Sequence, residues 1–332
     1  MKLNTSKMMF MSCLILGMVM TLYSNNWIIM WTGMEINMIS FIPLLSSMNK
    51  LSSEASMMYF LIQSMGSSIF MFSILINPIM IYSMGENIMK MLMIMSIMIK
   101  MGAPPFHMWV PEMINKMNWN KSIILLTIQK VAPMTIMSNI ITNNNMFELI
   151  IMMTVITGAM GGINYTSTRK IMTFSSINHM GWIMACMMNH NQLWIIYMIM
   201  YFMMTYMIMY FFMKKKIYSS NNLNMKANQA LEKINITTMI LSLGGMPPMM
   251  GFMMKWITIN LLMNMNNYVT MIIMVMMSLI ILYYYINMIS KNILNSSMDS
   301  KWKTKKHKNN IIQIYILIMN MSLMAMSMMI VQ

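Results

Sequence analysis

From Met8 onward the chain is a succession of apolar runs, most of them close to twenty residues long and separated by short polar segments. A helix needs about 20 mostly apolar residues to cross a bilayer. Runs of this length leave one fold class, an all-α polytopic membrane protein. Of 332 residues, 58% are hydrophobic and only 9% are charged, against about 25% charged in a soluble globular protein. Eleven spans are predicted, at 8–23, 27–47, 55–76, 87–113, 122–142, 147–165, 170–188, 192–213, 233–263, 268–289 and 311–330. The N-terminal stretch Met1 to Lys7 ahead of the first run has the look of a signal peptide. It lacks a cleavage site of the A-x-A kind, so the first run is expected to be a span.

Loop charge tests the span count. With eleven crossings, the N-terminal tail and the loops after even-numbered spans share one side. That side collects eighteen basic residues, whereas the other holds Lys90 alone. Basic residues gather on the cytoplasmic or matrix side of a membrane. The N-terminus is therefore expected on the positive side and the C-terminus on the opposite one.

Two spans are broken. In the fourth, Lys100-Met101-Gly102-Ala103-Pro104-Pro105-Phe106-His107-Met108-Trp109 places a proline pair inside an apolar run. In the ninth, Leu243-Gly244-Gly245-Met246-Pro247-Pro248-Met249-Met250-Gly251-Phe252 does the same, with Lys255 just beyond. Proline lacks a backbone donor and clashes with the preceding turn, so such a pair stops or kinks a helix. Broken segments in corresponding halves mark an inverted-repeat transport fold. The offset of five spans is odd, so the second copy is expected upside down. The predicted organisation is a first five-helix repeat at 1–143, a second at 147–290, and a basic loop with the final helix at 291–332.

Several function classes drop out. Cys13 and Cys186 lie apart inside apolar runs and form neither a CxxC pair nor a disulfide framework. No Gly-rich phosphate loop, haem motif or iron–sulfur spacing occurs, so no redox centre is expected in this chain. Net charge is +15, but the basic residues lie in loops, and no nucleic-acid partner is expected. The 64 methionines are spread everywhere, as apolar filler rather than as a local metal cluster. The basic stretches Lys214-Lys215-Lys216 and Lys301 to Lys308 read as loops touching anionic headgroups.

A charge in mid-membrane costs about 2.5–3.5 kcal/mol on insertion scales and calls for a reason. Glu35 lies in the second span, Lys100 at the end of the first half of the broken fourth, Lys130 in the middle of the fifth, and Lys255 after the break of the ninth. They admit two interpretations: a structural one, in which a buried Glu–Lys pair such as Glu35 with Lys100 fixes helix packing or lysines near helix ends snorkel to the interface, or a row of protonatable groups. The proton affinity of a buried group responds strongly to a counter-charge that approaches or retreats, which is what a proton relay requires. His179, in Ser175-Ser176-Ile177-Asn178-His179-Met180-Gly181-Trp182, is the histidine well inside an intact span and suits the same row. His107 and Glu112 are expected to be structural and interfacial, and Gly158 and Gly162 to serve close helix packing.

The stretch from Lys100 through Trp109-Val110-Pro111-Glu112 resembles the signature of the antiporter-like subunits of respiratory complex I. So do Gln129-Lys130-Val131-Ala132-Pro133, the Ser175–Trp182 segment, and Leu243 to Trp256, in the family's order. The resemblance runs from the first span to about residue 290. It implies a core subunit of the proton-pumping membrane arm of an NADH:ubiquinone reductase in the mitochondrial inner membrane, with its N-terminus on the matrix side and its C-terminus in the intermembrane space. It places the family's essential glutamate on Glu35, its lysines on Lys100, Lys130 and Lys255, and its histidine on His179. NADH, FMN, iron–sulfur clusters and ubiquinone would be bound by other subunits. The implied partners are the other membrane-arm subunits and membrane lipids, cardiolipin among them. A stand-alone cation/proton antiporter of the same fold is the alternative, and Glu35 as the single carboxylate well inside a span counts against it. A scaffold whose buried charges serve assembly alone is the third.

Overall fold

A computed structural model of the chain describes residues 5–46, 49–80, 86–141, 145–188, 192–220, 222 and 230–294. The described residues form helices α1 (Thr5–Tyr23), α2 (Trp27–Leu45), α3 (Lys50–Met80), α4 (Glu86–Met101), α5 (Trp109–Lys116), α6 (Trp119–Leu126), α7 (Ile128–Ile140), α8 (Asn145–Gly162), α9 (Thr168–Met187), α10 (Leu193–Lys215), α11 (Ala230–Gly244), α12 (Met250–Asn264) and α13 (Tyr268–Leu294). Six helical stretches among them are long and apolar enough to cross a membrane, namely Thr5–Tyr23, Trp27–Leu45, Lys50–Ile76, Trp119–Ile140, Leu193–Lys215 and Tyr268–Ser290. Each predicted run from 8–23 to 268–289 overlaps one or two of these helices. The final predicted run, 311–330, and the basic stretch from Lys301 to Lys308 lie outside the described residues. Helix α13 continues to Leu294, into what the sequence suggested was loop.

The chain divides into two compact units at Thr142 and Asn143. In the first, α1 packs along α2, α2 on α3 and α3 on α4, while α7 touches α1, α2 and α4. In the second, α8 packs on α9 and α13, and α11 lies against α10, α12 and α13. Methionine fills much of both interiors, as Met30, Met34, Met98, Met134, Met184 and Met254 show.

Both proline-bearing runs are broken, and glycine ends the helix before proline is reached. Gly102 has φ +69° and Gly245 φ +81°, the left-handed conformation that suits glycine just past a helix end. Ala103 N–H donates to Met98 O at 3.0 Å, and Met246 N–H donates to Leu241 O at 3.3 Å. These bonds close the last turn of α4 and α11 in the same way, and the prolines then prevent the helix from resuming.

The run at 122–142 was expected to be one intact helix, and it is interrupted at Thr127. That residue has φ −114° and ψ −80°, and separates α6 from α7. Its hydroxyl donates back to Ile123 O at 2.7 Å, a bond that bends helices. Pro133 lies inside α7 and cannot donate to the carbonyl four residues earlier, at Gln129. The two effects bracket Lys130.

Candidate functional site

In the first unit three helices converge on the end of α4. Lys100 sits in its last turn, where the helix dipole favours a cation. Its stem lies along α3 at Gly66, where a Cβ would come 2.8 Å from Lys100 Cγ. Any larger residue there would push the lysine aside. The Lys100 carbonyl, freed by the break, accepts a hydrogen bond from Gln63 Nε2 at 2.9 Å. Its amine donates to the thioether of Met34 at 3.7 Å, a weak acceptor.

Lys130 comes from α7 and is 4% exposed. Its amine, the Gln129 amide nitrogen and the Asn37 amide oxygen are all buried with no hydrogen-bond partner among the described residues. The other end of the Gln129 amide accepts from Tyr59 OH at 3.1 Å. Tyr59 is held edge-on by Phe41 with 5.1 Å between ring centroids. Lys100, Lys130, Asn37, Tyr59, Gln63 and Gln129 all line one cavity of about 30 Å³. A buried water needs roughly 10–15 Å³ by this measure and two to four polar partners, so the cavity has room and partners for about two.

Glu35 stands beside this cavity on α2. It acts electrostatically on both Lys100 and Tyr59. The sequence suggested a Glu35–Lys100 pair, but no ion pair joins them among the described residues, and Glu35 Oε1 is buried without a hydrogen-bond partner. Two contacts fix α2: Trp31 Nε1 donates to Ser67 O at 3.2 Å, and Lys121 Nζ donates to Leu45 O and, at 3.5 Å, to Ser46 O.

The second unit holds Lys255 and His179. Lys255 is 5% exposed and donates to Gly244 O, the carbonyl that ends α11, at 2.7 Å. Its amine lies over the Trp182 ring, 5.7 Å from the centroid. His179 is one turn before Trp182 on α9, so both groups belong to the same helix face. His179 Nδ1 is 3.0 Å from Tyr197 OH, and its ring lies 4.9 Å from that of Tyr201. Gly158 packs α8 against α9 at Asn178, where a Cβ would meet the Asn178 nitrogen at 2.6 Å, while Gly162 faces Tyr284 of α13. Glu112 is exposed in the first turn of α5.

Thus Lys100 and Lys130 share one cavity, which Met34, next to Glu35 in α2, also lines, and Lys255 and His179 belong to one neighbourhood of α9. The sequence reading missed Asn37, Tyr59, Gln63 and Gln129. Their signal was present, because uncharged polar groups inside an apolar run also need partners.

The family described as NADH:quinone oxidoreductase/Mrp antiporter, transmembrane, matches residues 24–281. An Anopheles gambiae protein named NADH-ubiquinone oxidoreductase chain 2 is 37% identical over 315 residues, spanning 92% of this chain and 91% of its own. The Locusta migratoria protein of that name is 35% identical over 313 residues, spanning 93% and 92%. Among solved structures, a chain of respiratory complex I from Thermus thermophilus with bound Aureothin superposes with a TM-score of 0.83 at 16% identity. It covers 98% of this chain and 78% of that one. At that identity the likeness is one of fold. The cavity, both broken helices and the α9 histidine all lie within the matched residues, and the chain belongs to the NADH:quinone oxidoreductase/Mrp antiporter transmembrane family, among the proteins named NADH-ubiquinone oxidoreductase chain 2.

Proposed function

We propose that this chain is a membrane-arm subunit of respiratory complex I in the mitochondrial inner membrane and couples NADH:ubiquinone electron transfer to proton translocation. Membership of the chain 2 family supports the first part. The second part is carried by one observation, that two buried lysines line a single cavity large enough for water. The chain itself does no bond chemistry. NADH, FMN, iron–sulfur clusters and ubiquinone belong to other subunits in this reading.

The proposed relay begins at Glu35. A change in its charge or position alters the field at Lys100. Lys100 then gives a proton to water in the cavity, and Lys130 takes one from it, so the charge moves from the first amine to the second. The Tyr59–Gln129 pair orients the polar wall. In the second unit, Lys255 and His179 serve as the protonatable groups of the relay. The chain would cross the membrane eleven times as two inverted repeats, 1–143 and 147–290, with 291–332 appended. The eighteen-to-one loop charge supports the N-terminus on the matrix side and the C-terminus in the intermembrane space.

The test is Lys130→Met in assembled complex reconstituted into vesicles, with protons moved per NADH oxidised as the readout. Intact assembly with pumping lost supports the relay. Intact assembly with normal pumping removes Lys130 from it, and the relay with it.

A further inference from the structure

Three tyrosines of the second unit lie buried near His179 and have no role in the proposed relay. Tyr201 is 0% exposed, Tyr285 1% and Tyr284 6%. A buried tyrosine usually finds a partner for its hydroxyl, yet all three hydroxyl oxygens lack a hydrogen bond among the described residues. The three follow one another in space. The Tyr201 ring lies 4.9 Å from that of His179. Tyr285 is within electrostatic reach of Tyr201, and Tyr284 and Tyr285 meet edge-on with ring centroids 4.7 Å apart.

Helix α9 flanks the same row. Ser175 and Ser176 are buried, and their hydroxyls donate to Met172 O at 2.9 Å and to Thr173 O at 2.6 Å. Each serine hydrogen is spent on its own helix, which leaves the oxygen to accept. Ser176 approaches the Tyr201 hydroxyl, and Ser175 and Tyr284 approach that of Tyr285, short of completing a bond. The two serines stand three and four residues before His179, on its side of the helix. At 1.5 Å per residue they step about 4.5–6 Å from His179 toward the start of α9. The row ends at α8. A Cβ on Gly162, the last residue of that helix, would meet Tyr284 Cε1 at 2.9 Å and Cζ, the carbon that bears the hydroxyl, at 3.1 Å. Residues 163–166, which follow at once, are exposed. They lead into the end of α9 that carries Arg169 and Lys170, which is the matrix side in the proposed orientation.

We infer that Tyr284, Tyr285 and Tyr201, with the Ser175 and Ser176 oxygens, form a track of hydroxyls that brings protons from the matrix-side end of α8 and α9 to His179. The inference rests on the proposed relay, to which it supplies an entrance in the second unit. A proton arriving at Tyr284 binds its oxygen, and the proton that hydroxyl carried passes to Tyr285 and then, in the same way, to Tyr201. Tyr201 delivers one to a ring nitrogen of His179. Each O–H bond broken is replaced by one formed, so no tyrosine is left ionised and no further reactant is needed. The hydroxyls then turn back, since a hydroxyl hydrogen rotates about its C–O bond. The serine oxygens accept from the tyrosines and keep the row in line.

The test uses Tyr201→Phe, Tyr284→Phe and Tyr285→Phe, made singly in assembled complex reconstituted into vesicles. Tyr206→Phe, at an exposed tyrosine of α10, is the control. Phenylalanine keeps the ring and removes only a hydroxyl without a partner, so assembly and thermal unfolding should be unchanged. Protons moved per NADH oxidised should fall in the three variants and not in the control. The ratio of pumping rates in ordinary and heavy water should rise in them, because proton entry becomes the slow step. A packing defect would not move that ratio. Normal pumping in all three overturns the track, as does lower pumping with an unchanged ratio. Failure of all three to assemble makes the hydroxyls structural and overturns it too. Lys130→Met separates the track from the relay. Pumping lost there but kept in Tyr201→Phe and Tyr285→Phe overturns the track and leaves the relay. The reverse result supports the track and overturns the relay of the first unit. Finally, Asn164→Cys should react with a membrane-impermeant maleimide added on the NADH-oxidising side. Reaction from the opposite side alone overturns entry from the matrix.

Discussion

The two broken helices share one backbone device and put their lysines to different use. Gly102-Ala103-Pro104-Pro105 and Gly245-Met246-Pro247-Pro248 have the same spacing, and both open with a left-handed glycine and the same closing hydrogen bond. In the first unit the lysine precedes the glycine by two residues. Gln63 caps its carbonyl, and its amine is left with a thioether and a cavity wall. In the second, the lysine follows the glycine by ten residues and caps the freed carbonyl itself. Ten residues after Gly102 stands Glu112, which is exposed. The difference teaches that the break does not dictate the chemistry. It frees carbonyls, and what satisfies them decides whether the nearby amine is held or available.

The largest expected effect separates the two glycines. Gly102→Ala and Gly245→Ala each pay roughly 1–2 kcal/mol for a left-handed alanine. At Gly102 the new Cβ would also come 2.2 Å from Val110 Cγ2, whereas at Gly245 it would meet the movable Lys255 amine at 2.8 Å. Gly102→Ala should therefore lower the yield of assembled complex more, as native gels would measure. Equal losses would mean that the breaks are packed alike.

Next come the lysines. Lys255→Met leaves the Gly244 carbonyl without its donor and should lower stability by about 1–3 kcal/mol. Lys130→Met removes an amine with no hydrogen-bond partner among the described residues, so thermal unfolding of the assembled complex should be unchanged or later even as pumping is lost. If Lys130→Met destabilises as much as Lys255→Met, the distinction between held and available amines fails.

Gln63→Leu uncaps Lys100 O and should cost about 1–2 kcal/mol, with pumping reduced less than by Lys100→Met. A drop as deep as that of Lys100→Met would make Gln63 part of the relay. The smallest effect is assigned to Trp182→Phe, which weakens the ring under Lys255 by about 0.5–1 kcal/mol. Loss of pumping without loss of stability in this variant would show that Trp182 tunes Lys255 rather than merely packing on it.

Much of this was legible in the chain. Glycine and proline are local signals, so both breaks could be placed to within a few residues, and charges in apolar runs announce themselves by their cost. The interruption at Thr127 was not legible, because threonine back-bonding and the donor missing at Pro133 bend a helix only when neighbours hold it bent. The cavity wall was harder still. Gln63 reaches Lys100 across 37 residues of sequence and Tyr59 reaches Gln129 across 70, and amides in an apolar run look alike until their partners are known. The Glu35–Lys100 pair illustrates the opposite error. Complementary charges suggested contact, yet no ion pair joins them among the described residues and Glu35 Oε1 is buried without a hydrogen-bond partner there.

The Lys121 amine on the last carbonyls of α2 pins one end of that helix, and the Trp31 bond to Ser67 O holds it again four residues before Glu35. Glu35 stands ten residues from Leu45, about 15 Å along the axis at 1.5 Å per residue. Pro43 sits between the two, close to the pinned end, where a missing donor makes bending easiest. A bend of only about 4° there would carry the carboxylate roughly 1 Å, so a small shift of the Trp31 anchor on Ser67 becomes a change of field at Lys100.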